Sequence, residues 1–393
     1  MPLGIAEVLQ QQRKTLGMTI SEAARLGDVP RAYLSMIEAG KRAPSPQTIV
    51  RLMAGLQIPI ASWLPAYLGE ETRCQQLMRL ANLLFGQGSY DASRQVLSRA
   101  YFVSRNEQDG RYNTDIYYLL GKVYYATGKY TKALRWIRLL DRATRHFQEP
   151  QMQAVATYNM AQVLARVGQR VEALRKFDEA DESFVRLRQW FYVGRTALGK
   201  ANVLLAMHAY PEAYEAYRRA AYFLRSKDFH GDARLGEAIT MAALQGPEAS
   251  LPIFRAIVDS NNVGQLVRVK ARTNLAAKLR QLGRHEDALT EIAAGLAEAG
   301  SLPSPLLAGL FAEATICHML LRDFPAALQT FERYKSLEGP KDGEDVAAMH
   351  IVAGVLRVAP ADDAIPPVIE DDHEQRLKAA LQILQIGARA GRA

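Results

Sequence analysis

Cysteine is scarce in this chain: only Cys74 and Cys317 occur in 393 residues, far apart. Two such residues exclude a disulfide framework and fit reduced thiols in a cytosol. Nowhere do roughly 18 apolar residues run together, so no transmembrane helix is expected. The opening MPLGIAEVLQQQRKTLGM lacks the basic stretch and apolar core of a secretory signal. A soluble, cytoplasmic protein without a membrane partner is expected. Catalytic patterns are as thin. The seven histidines are scattered and no Gly-x-Ser-x-Gly occurs. His285-Glu286 and His373-Glu374 lack the second histidine of a zinc-binding helix. GKYT at 128–131 places Tyr130 where a phosphate loop needs Ser or Thr after its lysine. No enzymatic activity, cofactor or metal site is therefore expected.

What is present is basic charge on an otherwise ordinary composition. Apolar residues make up 49% and charged ones 23%, with a net charge of +8 and a pI near 9.4. Residues 1–65 hold seven Lys/Arg against four Asp/Glu. Such a balance is compatible with a nucleic-acid partner, and equally with Arg-rich solvated helices. The length exceeds that of one ordinary domain unless the chain is a repeat array.

The first 65 residues read as five short helices. Leu3, Ile5, Val8, Leu9 and Leu16 give an amphipathic first helix, stopped near Gly17. Thr19-Ile20-Ser21-Glu22 has capping-box spacing and starts a second helix that Gly27-Asp28 interrupts within two turns. Pro30 suits the first turn of a third helix, and Gly40 a left-handed exit from it. Ser45-Pro46 caps a fourth helix carrying Ile49, Leu52, Met53 and Leu56. A fifth short turn covers Ile60 to Leu64.

A tight turn between the second and third of five short helices is the layout of a helix-turn-helix domain, whose third helix enters the DNA major groove. Leu34 and Ile37 would anchor that helix, leaving Arg31, Ala32, Ser35 and Met36 at base edges. Arg31 suits a bidentate contact to guanine and Met36 an apolar contact to a thymine methyl. Thr19 and Ser21 at the start of the second helix, with Lys41 and Arg42 after the third, would meet phosphates.

The stretch LGMTISEAARLGDVPRAYLSMIEAGKRAPS resembles the Cro/repressor (XRE) helix-turn-helix over residues 4–64, most specifically in IEAGKRAPS. The resemblance implies a structural ion pair between Arg13 and Glu38. It departs from the family at three positions. The turn glycine is Asp28, a usually apolar position is Gly27, and the glutamine that often begins the second helix is Ile20.

From residue 70 a repeat sets in, with Gly88, Gly128 and Gly168 forty residues apart. The series continues less strictly through His208, Gly246, Gly283 and Arg322. After these hinges come, in turn, a bulky residue (Tyr90, Tyr130, Tyr210, His285, Phe324), a small one (Ser93, Ala133, Ala173, Ala213, Ala288, Ala327) and a large apolar one (Leu97, Ile137, Phe177, Tyr217, Ile292, Phe331). Small residues let paired helices approach, and large ones fill the groove between neighbouring pairs. The pattern resembles tetratricopeptide (TPR) repeats, which implies seven helix pairs in a right-handed superhelix. The expected fold is all-α, a helix-turn-helix head followed by a TPR-like superhelix.

In TPR domains the first helix of each pair lines the inner face. Counting back from the hinges places Asn82, Tyr118, Lys122, Tyr125, Asn159, Gln162, Arg166, Arg195, Asn202 and Asn274 there. Asparagine can pair with both the N–H and C=O of an extended peptide. Lys122, Arg166 and Arg195 suit a carboxylate, and Tyr118 and Tyr125 would flank apolar side chains. A merely solvated polar face has the same composition.

An XRE head followed by long TPR repeats resembles the RRNPP group of bacterial peptide-pheromone receptors. That resemblance implies a homodimer on a palindromic operator in double-stranded DNA and a short peptide held by inner-face asparagines, Asn159 and Asn202 matching best. A second expectation stays open: a TPR interaction scaffold whose head binds DNA or dimerises and which answers to a protein partner.

The expected boundaries are a head at 1–65, a connector at 66–75, repeats at 76–358, a linker at 359–369 and a capping helix at 370–393. Two prolines and Gly69 within 57–72 suggest a jointed connector.

Overall fold

The computed structural model describes residues 4–60, 63–64, 67, 74–106, 112–225, 229–300, 304–338 and 343–356. These residues are all-α: nineteen helices and no strand occur among them. The expected linker and capping helix lie outside the described residues, as do most of the connector and part of the fifth short turn. The chain divides into two compact units, Met1–Leu187 and Arg188–Ala393.

The first unit opens with four short helices, α1 (Ile5–Thr15), α2 (Ile20–Leu26), α3 (Arg31–Glu38) and α4 (Pro46–Gly55). Three helix pairs follow: α5 (Cys74–Gly86) with α6 (Tyr90–Asn106), α7 (Asn113–Ala126) with α8 (Tyr130–His146), and α9 (Pro150–Arg166) with α10 (Arg170–Arg186). The second unit has four pairs, α11 (Trp190–Ala206) with α12 (Tyr210–Phe223), α13 (His230–Gln245) with α14 (Pro247–Val258), α15 (Gln265–Gln281) with α16 (His285–Ala299), and α17 (Ser304–Leu320) with α18 (Phe324–Ser336). A last helix, α19 (Gly343–Leu356), ends the described residues.

All seven expected hinges take positive φ, from 59° at His208 to 94° at Gly246. The left-handed residue ends the first helix and folds the second back on it. His208 and Arg322 do this without glycine, at a cost of about 1 kcal/mol each. The small positions after the hinges, from Ser93 to Ala327, are fully buried, and the large ones, from Leu97 to Phe331, are buried beside them. Each large side chain removed from water contributes about 1.5–3 kcal/mol, so the pairs are held by these interlocked positions rather than by propensity.

In the head, Leu34 and Ile37 are buried as expected, whereas Leu16, expected on the apolar face of α1, is exposed beyond the end of that helix. Pro30 sits at the N-cap of α3, one position before the first turn. Gly40 is left-handed, and the bonds Gly40 N–H to the Ile37 carbonyl and Lys41 N–H to the Met36 carbonyl close α3.

Trp63, Leu64 and Tyr67 are buried in one continuous apolar core that also holds Ile5, Leu34 and Ile49 of the head and Leu77, Val96 and Ile116 of the first two pairs. Trp63 and Tyr67 meet edge to face, ring centres 6.3 Å apart. Pro65 and Gly69, on which the expected joint rests in part, lie outside the described residues.

Candidate nucleic-acid interface and repeat face

Local chemistry aims the third helix outward. The Thr19 hydroxyl accepts from the Glu22 N–H (3.3 Å), and the Glu22 carboxylate accepts from the Thr19 N–H (2.8 Å) and hydroxyl (2.8 Å). These bonds, led by the backbone N–H, hold the Glu22 carboxyl below the usual range. The box starts α2 at Ile20, one residue after the cap.

The turn that follows explains two departures from the family pattern. Asp28 adopts φ 50°, and its carboxylate accepts from Arg51 of α4 at 2.8 Å. A Cβ on Gly27 would lie 2.5 Å from Leu52 Cδ2, so an apolar side chain there has no room against α4.

The expected ion pair is present. Arg13 Nε and Nη2 donate to Glu38 at 2.7 and 2.8 Å, and Nη1 donates to the Met18 carbonyl at 2.9 Å. The side chains are 12% and 4% exposed. The hydrogen bond to Glu38 is the main reason the guanidinium holds its proton more tightly than usual. Glu38 is thereby engaged inside the head and α3 is fastened to α1.

Arg31, Ala32, Ser35 and Met36 form the outward face of α3, and all four are exposed. Ser21, Lys41 and Arg42 are exposed beside them, and the Arg42 guanidinium lies 4.9 Å from the Tyr33 ring centre. Thr19 is exposed too, but its hydroxyl is engaged in the cap, which leaves Ser21 as the uncommitted hydroxyl at that end of α2. A protruding helix with an arginine, a hydroxyl and a thioether, flanked by two cations, has the chemistry to read base edges and grip phosphates.

In the first unit, seven of the ten expected repeat-face residues gather on α5, α7 and α9. Lys122 Nζ lies 4.6 Å from the Phe85 ring centre and 5.3 Å from that of Tyr118, linking α7 to α5. Arg166 Nε donates to the Tyr125 hydroxyl at 3.1 Å, linking α9 to α7. Gln162 donates to the Tyr158 hydroxyl at 2.6 Å. The Nδ2 groups of Asn82 and Asn159 bond back to the Met78 and Val155 carbonyls one turn earlier, at 3.0 and 2.9 Å. Asn82, Lys122 and Gln162 stand forty residues apart and so occupy one repeat position.

The second unit holds the other three. The Arg195 guanidinium stacks 3.8 Å from the Phe229 ring centre. Asn202 Oδ1 accepts from the Tyr217 hydroxyl at 2.7 Å, a phenol whose pKa burial pushes up. Asn274 bonds back to the Lys270 carbonyl at 2.9 Å. Asn202 thus also satisfies a core residue.

Sequence reasoning missed Phe85 and Phe229, the rings under Lys122 and Arg195. Phe85 stands forty residues before Tyr125, so the repeat register was the signal for it. Phe229 follows three undescribed residues and takes φ 72°, which no pattern announces. A separate cleft of about 360 Å³, lined by Arg145, Gln153, Glu179, Glu182 and Arg186, lies between α8, α9 and α10 and includes none of the expected residues.

Residues 9–63 match the Helix-turn-helix family and residues 154–178 the Tetratricopeptide repeat family. The chain therefore carries an XRE-type helix-turn-helix at its N-terminus and tetratricopeptide repeats behind it. Among solved structures it is similar to the apo form of RapI, with 12% identity and a TM-score of 0.58, over 79% of this chain and 86% of that one. It is also similar to a tetratricopeptide repeat protein from Parabacteroides merdae, with 16% identity and a TM-score of 0.50, over 72% and 97% of the two chains. A third is the signal transduction ATPase with a tetratricopeptide repeat sensor from Pyrococcus horikoshii, with 14% identity and a TM-score of 0.52, over 71% of this chain and 43% of that one. At these identities the likeness is one of fold. Comparison with curated proteins returned no match. No helix among the described residues is long and apolar enough to cross a membrane.

Proposed function

We propose that this chain is a ligand-responsive transcription regulator. A homodimer binds a palindromic operator with half-sites about one helical turn apart, and the repeat face senses a short peptide that changes how the heads sit on DNA. The observation that carries this reading is the continuous core: Leu34 and Ile37 of α3 share it with Trp63, Leu64 and Tyr67 and with the first two helix pairs, two of whose helices bear the polar face. A shift in those pairs would act on the head through this shared packing.

The test is binding to the protein's own promoter region against random DNA at moderate salt. The expected result is a clear preference that Arg31→Ala removes at one base pair, at about 1–3 kcal/mol. Equal binding to both DNAs would refute the reading. Asn159→Ala should abolish ligand response and leave basal DNA binding; an undiminished response removes that part of the repeat face from the mechanism.

A second reading, a scaffold for a protein partner, draws support from the back-bonds of Asn82, Asn159 and Asn274, which any solvated helix can make. It predicts that Arg31→Ala leaves DNA behaviour and partner capture unchanged.

A further inference from the structure

Two neighbouring helices of the first unit carry an excess of cations almost as large as that of the whole chain. The second helices of its first two pairs, α6 and α8, hold eight Lys/Arg against Asp91 and Asp141, an excess of six where the whole chain has eight. The next second helix, α10, holds four cations against five carboxylates, and its Arg175 and Lys176 pair with carboxylates one turn away. Strong basic charge is therefore particular to the second helices of the first two pairs.

Lys132, Arg135, Arg138, Arg142 and Arg145 recur every three or four residues along α8 and are all exposed. That spacing sets them in one row about 20 Å long. Arg145 meets Asp141 at 3.2 Å, whereas Arg135, Arg138 and Arg142 meet no carboxylate among the described residues. Ala133, Ile137 and Leu140 of the same helix are buried, so the row offers charge without an apolar wedge for a bilayer.

Aromatic contacts join α6 to this row. Tyr101 of α6 and Trp136 of α8 meet edge to face, ring centres 5.6 Å apart. The Arg105 guanidinium lies 6.0 Å from the Tyr101 ring centre, and that of Arg99 lies 5.6 Å from the exposed Phe102 ring. Rings orient a cation without cancelling its charge. Tyr101 and Trp136 also pack against the apolar core that holds Leu34 and Ile37 of α3. The basic surface and the outward helix of the head thus belong to one packed body.

We infer that the outer face of α6 and α8 is a second contact for double-stranded DNA, gripping phosphates of duplex that continues beyond the site met by α3. A row of about 20 Å runs beside roughly six base pairs, and a head bound to DNA holds that duplex at high local concentration. Contacts of this kind add affinity and salt dependence evenly across sequences. The inference goes beyond the reading above, in which the head alone meets DNA.

The test titrates the full chain with two fluorescein-labelled 40-base-pair duplexes, one from its own promoter region and one random, at several salt concentrations. The triple variant Arg135→Gln, Arg138→Gln, Arg142→Gln should flatten the plot of log affinity against log salt by about 0.9 per lost contact, roughly 2.7 in all. It should weaken both duplexes by the same factor. The corresponding triple change to Lys keeps the charges and should retain the original slope. A control triple variant, Arg175→Gln, Arg218→Gln, Arg284→Gln, removes as much charge at arginines already paired with nearby carboxylates. It should leave the slope within about one of the original. Equal flattening by both Gln variants would assign the effect to net charge and overturn the proposal. An unchanged slope in the first variant would also overturn it, and loss there of binding to phosphatidylserine vesicles or to polyglutamate would give the face to a membrane or an acidic protein instead. Promoter preference with an unchanged slope leaves the regulator reading standing without this inference. Flattening with no promoter preference does the reverse.

Discussion

The Arg13–Glu38 pair gives a prediction that the geometry makes quantitative. Both side chains are largely removed from water, the contact is two-pronged, and Arg13 also serves the Met18 carbonyl. Removing one partner strands the other's charge in a poorly hydrated site, which costs about 3 kcal/mol or more. Arg13→Met adds about 1 kcal/mol for the Met18 carbonyl left without its donor. Replacing both, as Arg13→Met with Glu38→Leu, leaves no stranded charge and is expected to cost less than either single change. Hydrogen exchange of the α1 and α3 amides measures this locally, and 3 kcal/mol corresponds to about a hundredfold faster exchange. Single variants that each speed exchange less than fivefold, or a double variant as damaged as the sum of the two, would refute the reasoning.

Other expectations rest on single contacts. A Cβ on Gly236 would lie 2.1 Å from the Tyr217 ring, so Gly236→Ala should destabilise the second unit by about 1–3 kcal/mol, read as a lower urea midpoint. Lys41→Ala and Arg42→Ala should weaken binding evenly across DNA sequences and reduce the salt slope by about one each, measured by titration at several salt concentrations. Burial, and then Arg234 and Arg225, hold His230 below its ordinary value of 6.5; burial, and then Arg280, do the same for His285. The folded chain therefore binds these protons less readily than the unfolded one. Stability is full above pH 6.5 and falls as pH drops below it, and His230→Gln with His285→Gln should flatten that fall in urea midpoints taken across the range.

Much of the fold was legible because its punctuation is local. A capping box at Thr19, a left-handed Gly40 and the glycine hinges need only neighbours in sequence, and these are where the helices end. The turns between successive pairs were less readable, since Gln148 and Arg188 take positive φ there although neither residue type favours it. Surrounding contacts, not local propensity, hold them so. In the head, the pattern identified the outward residues of α3 because Leu34 and Ile37 leave a short helix only one other face. On the repeats it identified which residues stand on the first helices but not their partners, because Lys122 on Phe85 and Asn202 on Tyr217 are meetings between helices. Gly27 read as a misfit until Leu52 of α4 was seen against it.

The buried Trp63, Leu64 and Tyr67 have a consequence for anyone who would cut this molecule. A fragment ending at residue 65 would retain α3 yet bare the flank that Leu77 and Leu80 now cover, and greasy flanks of that kind invite clumping. The smallest piece with a sealed underside runs at least to the end of α7, so grafting this head onto another domain means carrying α5, α6 and α7 along with it.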